Sequence, residues 1–291
     1  MQSSLFTLPV VEQLSPFCSL RQQGELTLLI IEHPDFRAAF SLQGGQLIAW
    51  QPVNQPAVIW LSDRTEFSQG KAIRGGIPIC WPWFGPAGKP SHGFARTSEW
   101  QLSDCQESTQ QVKVSMQLTH SAQTHALWPH DFDLTLVAVL SGESCQITLR
   151  IAGNVESTAA LHSYFNVGDS ETVRVSGLGD RYIDKVKGNA LGSQLSEQTY
   201  HGEVDRIFTH PTAESIVNDP QLKRAIKIQH QGYSDVVTWN PGAVLSQSMA
   251  DMSDEGYKTM VCVETARIGQ PIITTDSSPA ELTVTITPQP F

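Results

Sequence analysis

Charge is scarce in this chain. Of its 291 residues only 16% are Asp, Glu, Lys or Arg, and the acidic ones prevail, leaving a formal net charge of −10. No run of Lys and Arg occurs, so there is no basic stripe of the kind that nucleic-acid binding as a main activity requires. Any anion must be caught by a local pocket. No apolar run approaches the roughly 18 residues of a membrane span. The start, Met1-Gln2-Ser3-Ser4-Leu5-Phe6, lacks the basic and apolar stretches of a secretory signal. The expectation is a cytoplasmic protein with neither a nucleic-acid nor a membrane partner. Cysteine is sparse too: Cys18, Cys80, Cys105, Cys145 and Cys262 are odd in number, widely spread and form no Cys-x-x-Cys pair. They read as reduced residues of core or strands. No Gly-x-Gly-x-x-Gly follows a strand, there is no P-loop, and convincing long amphipathic helices are absent.

Hydrophobic residues make up 40% of the chain, and a polypeptide of this size buries most of its unfolded surface, so a substantial core is expected. The apolar period is two wherever it is clear. Val112, Val114, Met116 and Leu118 alternate with polar neighbours, as do Ile147, Leu149 and Ile151, and again Leu282, Val284 and Ile286. Further strands are predicted at 25–32, 36–42, 132–140, 236–239 and 260–264, separated by Gly, Pro, Asn and Asp turns. Strands recurring from end to end without helices between them indicate an all-β protein, a large antiparallel β-sandwich. No repeat or linker divides the chain, so residues 1–291 read as one domain. Residues 185–203 are polar and irregular and read as a surface excursion; residues 246–258 are expected to hold a short helix.

Against that background, residues 72–96 stand out. Ala72-Ile73-Arg74-Gly75-Gly76-Ile77-Pro78 leads through Trp81-Pro82-Trp83-Phe84-Gly85 into Ser91-His92-Gly93-Phe94-Ala95-Arg96. Guanidinium forks bind oxyanions bidentately, indole faces pack on the C–H faces of sugars, and glycines let backbone approach a ligand. A phosphorylated sugar satisfies all three; a loop with core tryptophans and surface arginines carries the same letters. In Leu161-His162-Ser163-Tyr164-Phe165-Asn166, His162 reads either as a hydrogen-bonded core residue or as a general acid, with Tyr164 and Asn166 on its side of an extended segment. Met260-Val261-Cys262-Val263-Glu264 is a nearly continuous apolar run ending on a carboxylate. A buried carboxylate is either paired structurally or held for function, and Glu264 is the best general-base candidate. In Val204-Asp205-Arg206, the adjacent charges are a surface ion pair, or Asp205 accepts hydrogen bonds from sugar hydroxyls. His120, His125 and His130 are spaced by five, which is no zinc signature, and His33, His201, His210 and His230 read as surface or turn residues.

Taken together and in order, Arg74-Gly75-Gly76-Ile77-Pro78, His92-Gly93-Phe94-Ala95-Arg96, Leu161-His162-Ser163-Tyr164-Phe165, Val204-Asp205-Arg206 and Val263-Glu264-Thr265 resemble the glucose-6-phosphate 1-epimerases, hexose-6-phosphate mutarotases of the aldose 1-epimerase superfamily. The resemblance implies a galactose-mutarotase-like β-sandwich with the sugar in a cleft across one sheet. It implies His162 and Glu264 as the catalytic acid and base, Arg74 and Arg96 as phosphate ligands, and His92 and Asp205 as sugar-contacting residues. The expected state is a monomer whose partner is a small sugar phosphate, and ring opening by one acid and one base needs no metal or redox cofactor. Two competitors remain at this level: a non-catalytic carbohydrate-binding sandwich, and an epimerase of free aldoses. A glycoside hydrolase is disfavoured because it needs two carboxylates flanking the bond.

Overall fold

A computed structural model of the protein describes residues 2–195 and 197–291; Met1, and Ser196 within the polar segment, lie outside the described residues. Among the described residues the strands form two eight-stranded sheets and a five-stranded one, and every strand pair is antiparallel. The five-stranded sheet is a meander in chain order from Val10–Gln13 to Gln46–Pro52. One large sheet runs in spatial order Arg174–Ser176, Glu214–Asp219, Arg224–Gln231, Ala280–Pro290, Cys145–Ala152, Asp133–Ser141, Gln111–Thr119 and Gln101–Glu107. The other runs Ala190–Ser193, Arg181–Asp184, Val204–Phe208, Asp235–Asn240, Met260–Thr274, Val155–Leu161 and Ile79–Cys80, with Tyr164–Asn166 also paired to Met260–Thr274.

The alternation seen in the sequence sets which faces meet. Val112, Val114, Met116 and Leu118 point inward, as do Leu134, Leu136 and Ala138 on the neighbouring strand. They pack in one continuous cluster with Leu161, Val204, Phe208, Val236, Val261 and Val263 of the opposite sheet. Each such side chain, fully buried, stabilises the fold by roughly 1.5–3 kcal/mol before the entropy of ordering is set against it. Two large antiparallel sheets across a shared apolar layer make a β-sandwich, as the period-two pattern predicted. Arg224 ties the sheets together: its buried guanidinium donates to the carbonyls of Pro56 (2.9 Å), Ala57 (2.8 Å) and Asn166 (2.7 Å). No helix among the described residues is long and apolar enough to cross a membrane.

Several local expectations are corrected. The last apolar run is the start of a long strand, Met260–Thr274, so Glu264 lies within a strand rather than at its end. The polar segment 185–203 includes Ala190–Ser193, which forms a hairpin with Arg181–Asp184. In place of one short helix at 246–258 there are two turns of helix, Gly242–Ser248 and Gly256–Thr259. His33 and His230 are buried, not superficial. His230 sits between the hydroxyls of Thr265 (2.7 Å) and Ser215 (3.1 Å), while His201 and His210 are exposed as expected. All five cysteines are free and lie on strands.

Candidate active site

The face of the second large sheet that turns away from the main core carries most of the candidate site residues. Along Met260–Thr274 the residues Val261 and Val263 point into the core, so Cys262 and Glu264 face the other way. Register then fixes their neighbours: Glu264 lies opposite Val237, and Asp205 opposite Trp239, on the same outward face. On the other side of Met260–Thr274, the pairing strand is interrupted. Val155–Leu161 ends at Leu161 opposite Thr265, Tyr164–Asn166 resumes opposite Cys262, and the Val263 amide bonds to the Ser163 carbonyl in the gap. That jog holds His162 against Glu264, with Nε2 to Oε1 at 3.3 Å. Both are buried, at 8% and 1% exposure.

The loop bearing Arg74 is zipped onto this jog. The His162 amide donates to the Pro78 carbonyl and the Tyr164 amide to the Gly76 carbonyl, both at 3.0 Å. Gly76 is required here by the chain itself. Its φ is +72°, and a Cβ would lie 2.3 Å from the Leu47 carbonyl oxygen. At Gly76 the space a Cβ would fill is thus taken by close packing of backbone on backbone. The Arg74 guanidinium donates through Nε to Asp251 Oδ2 (3.0 Å) and through a terminal nitrogen to the Tyr164 hydroxyl (3.0 Å). Burial disfavours its charge, but Tyr164 and Asp251 outweigh that and keep it firmly protonated. Tyr164 in turn stacks on the His162 imidazole, ring centres 4.8 Å apart and planes within 10°.

Arg74, Phe84, His92, His162, Lys185, Asp205, Trp239 and Glu264 line a cleft of about 230 Å³. The hollow beside Phe17, His33 and Arg37 is larger, at about 460 Å³. Chemistry singles out the smaller one, because there a buried imidazole and a buried carboxyl touch. Burial pushes the Glu264 carboxyl well above its usual range, with the nearby Asp205 adding to it and Lys185 opposing. Burial likewise pushes His162 well below its usual value, helped by His92, Arg96 and Arg74. In the free protein both groups therefore favour their neutral forms, one proton being held between them. His162 Nδ1 and Glu264 Oε2 have no hydrogen-bond partner within the protein among the described residues, which leaves each with one atom free for another molecule.

His92 is held in a left-handed conformation, φ +63°, its Nδ1 accepting from the Gly85 amide at 3.3 Å. Burial, then Arg96, Lys185 and Arg74, pull its pKa down to about 3. A neutral ring with Nδ1 accepting carries its proton on Nε2, so His92 is a hydrogen-bond donor to the cleft and no proton shuttle. Asp205 pairs with Lys185 at 3.1 Å, and Lys185 also lies over the Phe84 ring at 5.6 Å. The adjacent Arg206 points to the other face, toward Asp184 and Tyr182.

Of the six residues singled out by sequence, His162, Glu264, Arg74, His92 and Asp205 converge on the cleft. Arg96 does not line it. One of its terminal nitrogens donates to the Ser91 carbonyl (2.8 Å), although its charge still acts on His92 and His162. Asn166 turns away to the Ala57 carbonyl. Trp81, expected on a sugar-facing wall, is wholly buried against Phe94, Trp128 and Phe132; Phe84 and Trp239 supply the cleft's aromatic surface instead. Lys185 is the residue that sequence reading missed. It follows Ile183 by two on the same face, and only the pairing of Ile183 with Ile207 in the folded sheet brings it to the cleft.

Ligand atoms of His162, Cys262 and Glu264 lie within 4.8 Å of one another, close enough to ask whether they hold a metal. Burial together with Glu264 pushes the Cys262 thiol well above its ordinary value, so binding there would first have to displace its proton. On the surface, His120 and His125 stack at 5.2 Å and both approach Asp131, a proximity that their spacing of five did not suggest.

With the geometry in place, comparison with known proteins is informative. The sequence profile of the family described as aldose 1-epimerase matches residues 27–279. A protein of Escherichia coli K12 named as a candidate glucose-6-phosphate 1-epimerase is 48% identical over 98% of both chains. A protein of the same designation from Haemophilus influenzae is 34% identical over 79% of this chain and 80% of its own. The crystal structure of a candidate mutarotase, YeaD, from Salmonella typhimurium is 46% identical, superposes with a TM-score of 0.98 and covers 100% of both chains.

Proposed function

The chain belongs to the aldose 1-epimerase family, and from that premise we propose that it interconverts the α and β anomers of glucose 6-phosphate and related hexose 6-phosphates. One observation carries the reading: a buried imidazole and a buried carboxyl in contact at 3.3 Å, in a cleft that Arg74 and Lys185 also line, in a protein of net charge −10. Anomerisation needs a base at the C1 hydroxyl and an acid at the ring oxygen. Those two oxygens share one carbon, so the groups that serve them must stand side by side, as His162 and Glu264 do. Once the proton they share has passed to His162, the Glu264 carboxylate removes the C1 hydroxyl proton while His162 protonates the ring oxygen, and the C1–O5 bond opens to the aldehyde. Rotation about C1–C2 presents the other carbonyl face, and closure reverses both transfers. His92 donates from Nε2 to a sugar oxygen, Asp205 accepts from hydroxyls, and Phe84 and Trp239 pack on the C–H surface.

Arg74 binds the phosphate, with Arg96 and Lys185 contributing charge. This cationic field has a second effect. Burial, then His92, Arg96 and Arg74, hold His162 below its ordinary pKa, so a phosphate dianion that offsets the charge of the two arginines moves His162 part of the way back toward the protonated form the acid role requires. The phosphorylated substrate thus assists in arming the acid, which a free aldose does not do. The test is two-dimensional exchange NMR of glucose 6-phosphate, in which the uncatalysed exchange supplies the baseline. Glu264→Gln and His162→Asn should each lower the catalysed exchange by roughly 10²–10⁴-fold while ligand binding and folding persist. Near-wild-type exchange in both variants would refute the acid–base assignment.

A further inference from the structure

We propose that Cys18 and Cys105 form a thiol pair that closes reversibly to an intramolecular disulfide in the presence of a small-molecule disulfide. The Cys105 thiol donates to Cys18 Sγ at 2.9 Å, although the two residues are 87 positions apart. They belong to different sheets. Cys18 opens the strand Cys18–Gln23 of the five-stranded sheet, and Cys105 lies on Gln101–Glu107 at the end of a large one. The approach is held by more than the sulfurs: Glu107 Oε2 accepts from the Ser15 hydroxyl at 2.6 Å and from the Phe17 amide at 3.1 Å. This clamp fixes the segment before Cys18 to the strand carrying Cys105.

Access and charge assign the roles. Cys105 is half-buried and Cys18 fully buried, so an oxidant reaches Cys105 first. In the reduced pair the hydrogen bond from Cys105 lowers the pKa of Cys18 against its burial and pushes the Cys105 thiol upward; once Cys105 carries the R–S group that bond is gone, and the Ser15 hydroxyl remains to stabilise a Cys18 thiolate. Cys105 sulfur attacks the small disulfide R–S–S–R, forming Cys105–S–S–R and releasing one R–SH. Cys18 sulfur then attacks the Cys105 sulfur of that mixed disulfide and expels the second R–SH. Two protein thiols lose two hydrogens and two electrons in all, and the small disulfide gains them. The other three cysteines are fully buried, so a small disulfide does not reach them first. The bond ties the five-stranded sheet to the end strand of a large sheet. It shares no residue with the cleft, so it acts on stability and not on the chemical step.

The experiment incubates the native protein with oxidised glutathione and follows intact mass, peptide mapping without reductant and thermal unfolding. The expected result is a loss of about 2 Da that dithiothreitol reverses, with Cys18 and Cys105 linked. Unfolding temperature should rise by roughly 5 °C, because the cross-link restrains the unfolded chain, while anomeric exchange stays unchanged. Cys105→Ser should abolish the mass loss and Cys145→Ser should not. Cys18→Ser should trap a stable glutathione adduct on Cys105; if that variant does not fold, the mass change and the Cys105→Ser result still decide. Unchanged mass, or a persistent adduct on Cys105 in the wild-type protein, would overturn the proposal.

Discussion

Arg74 is where a single side chain has most to decide. It holds Asp251 and the Tyr164 hydroxyl on one side and faces the cleft on the other, and Tyr164 props the His162 ring. Arg74→Ala should cost about 2–5 kcal/mol in kcat/KM for glucose 6-phosphate and much less for free glucose, since the former alone loses a charge-assisted contact. Arg74→Lys should recover part of the loss, an ammonium restoring charge without the planar fork. Equal losses for both sugars in the exchange assay would move Arg74 from the phosphate to the scaffold. A second residue-scale effect is on stability. Burial holds His230 at about 4, against an ordinary histidine value near 6.5. Between those values the unfolded chain binds the extra proton, so this contribution is complete above pH 6.5 and is lost as pH falls toward 4. The loss amounts to about 3 kcal/mol across that window. His230→Gln, keeping a partner for Ser215 and Thr265, should flatten the fall of Tm with acidification over that range. Glu264 acts with the opposite sign, since its raised pKa makes the fold lose stability as pH rises above the ordinary carboxylate value.

At the scale of elements, three features make the site: the outward face of Met260–Thr274, the break between Val155–Leu161 and Tyr164–Asn166, and the glycine loop after Arg74. The break matters because a continuous strand at 162–163 would alternate straight through, whereas the jog lets His162 lean on Glu264. The glycine loop sets how closely Arg74 approaches that break. Gly76→Ala should destabilise the protein by about 2–4 kcal/mol in urea unfolding, because the new Cβ meets backbone at a positive φ and no side chain can yield. It should also raise KM for the phosphorylated sugar by displacing Arg74. A change within about 0.5 kcal/mol would show that the loop relaxes freely.

Across the whole molecule, stability rests on the apolar layer between the large sheets and on a few polar staples through it. Arg224 is the clearest staple: one guanidinium satisfies three carbonyls of neighbouring segments. Arg224→Met replaces it with an apolar chain of similar reach and strands those acceptors in the interior. The expected cost is about 3–5 kcal/mol of folding stability, read from denaturant midpoints, with kcat of the folded fraction unchanged. A loss below about 1 kcal/mol would mean that the carbonyls find other partners.

The sequence by itself determined the all-β class, because side chains alternating along a strand record which face is wet and which is dry without reference to anything distant. It also marked most of the groups that gather in the cleft. His162, Glu264, Arg74, His92 and Asp205 are ionisable or basic groups set among apolar and aromatic neighbours, where their presence is costly unless they are used. What only the tertiary structure decided is which of these groups meet. Contact between His162 and Glu264 depends on the register of two strands about a hundred positions apart, and register is the sum of many side-chain fits rather than a local pattern. For the same reason Lys185 enters the cleft unannounced, Arg96 stands back from it, Trp81 sinks into the core, and His33 and His230, polar by letter, are buried.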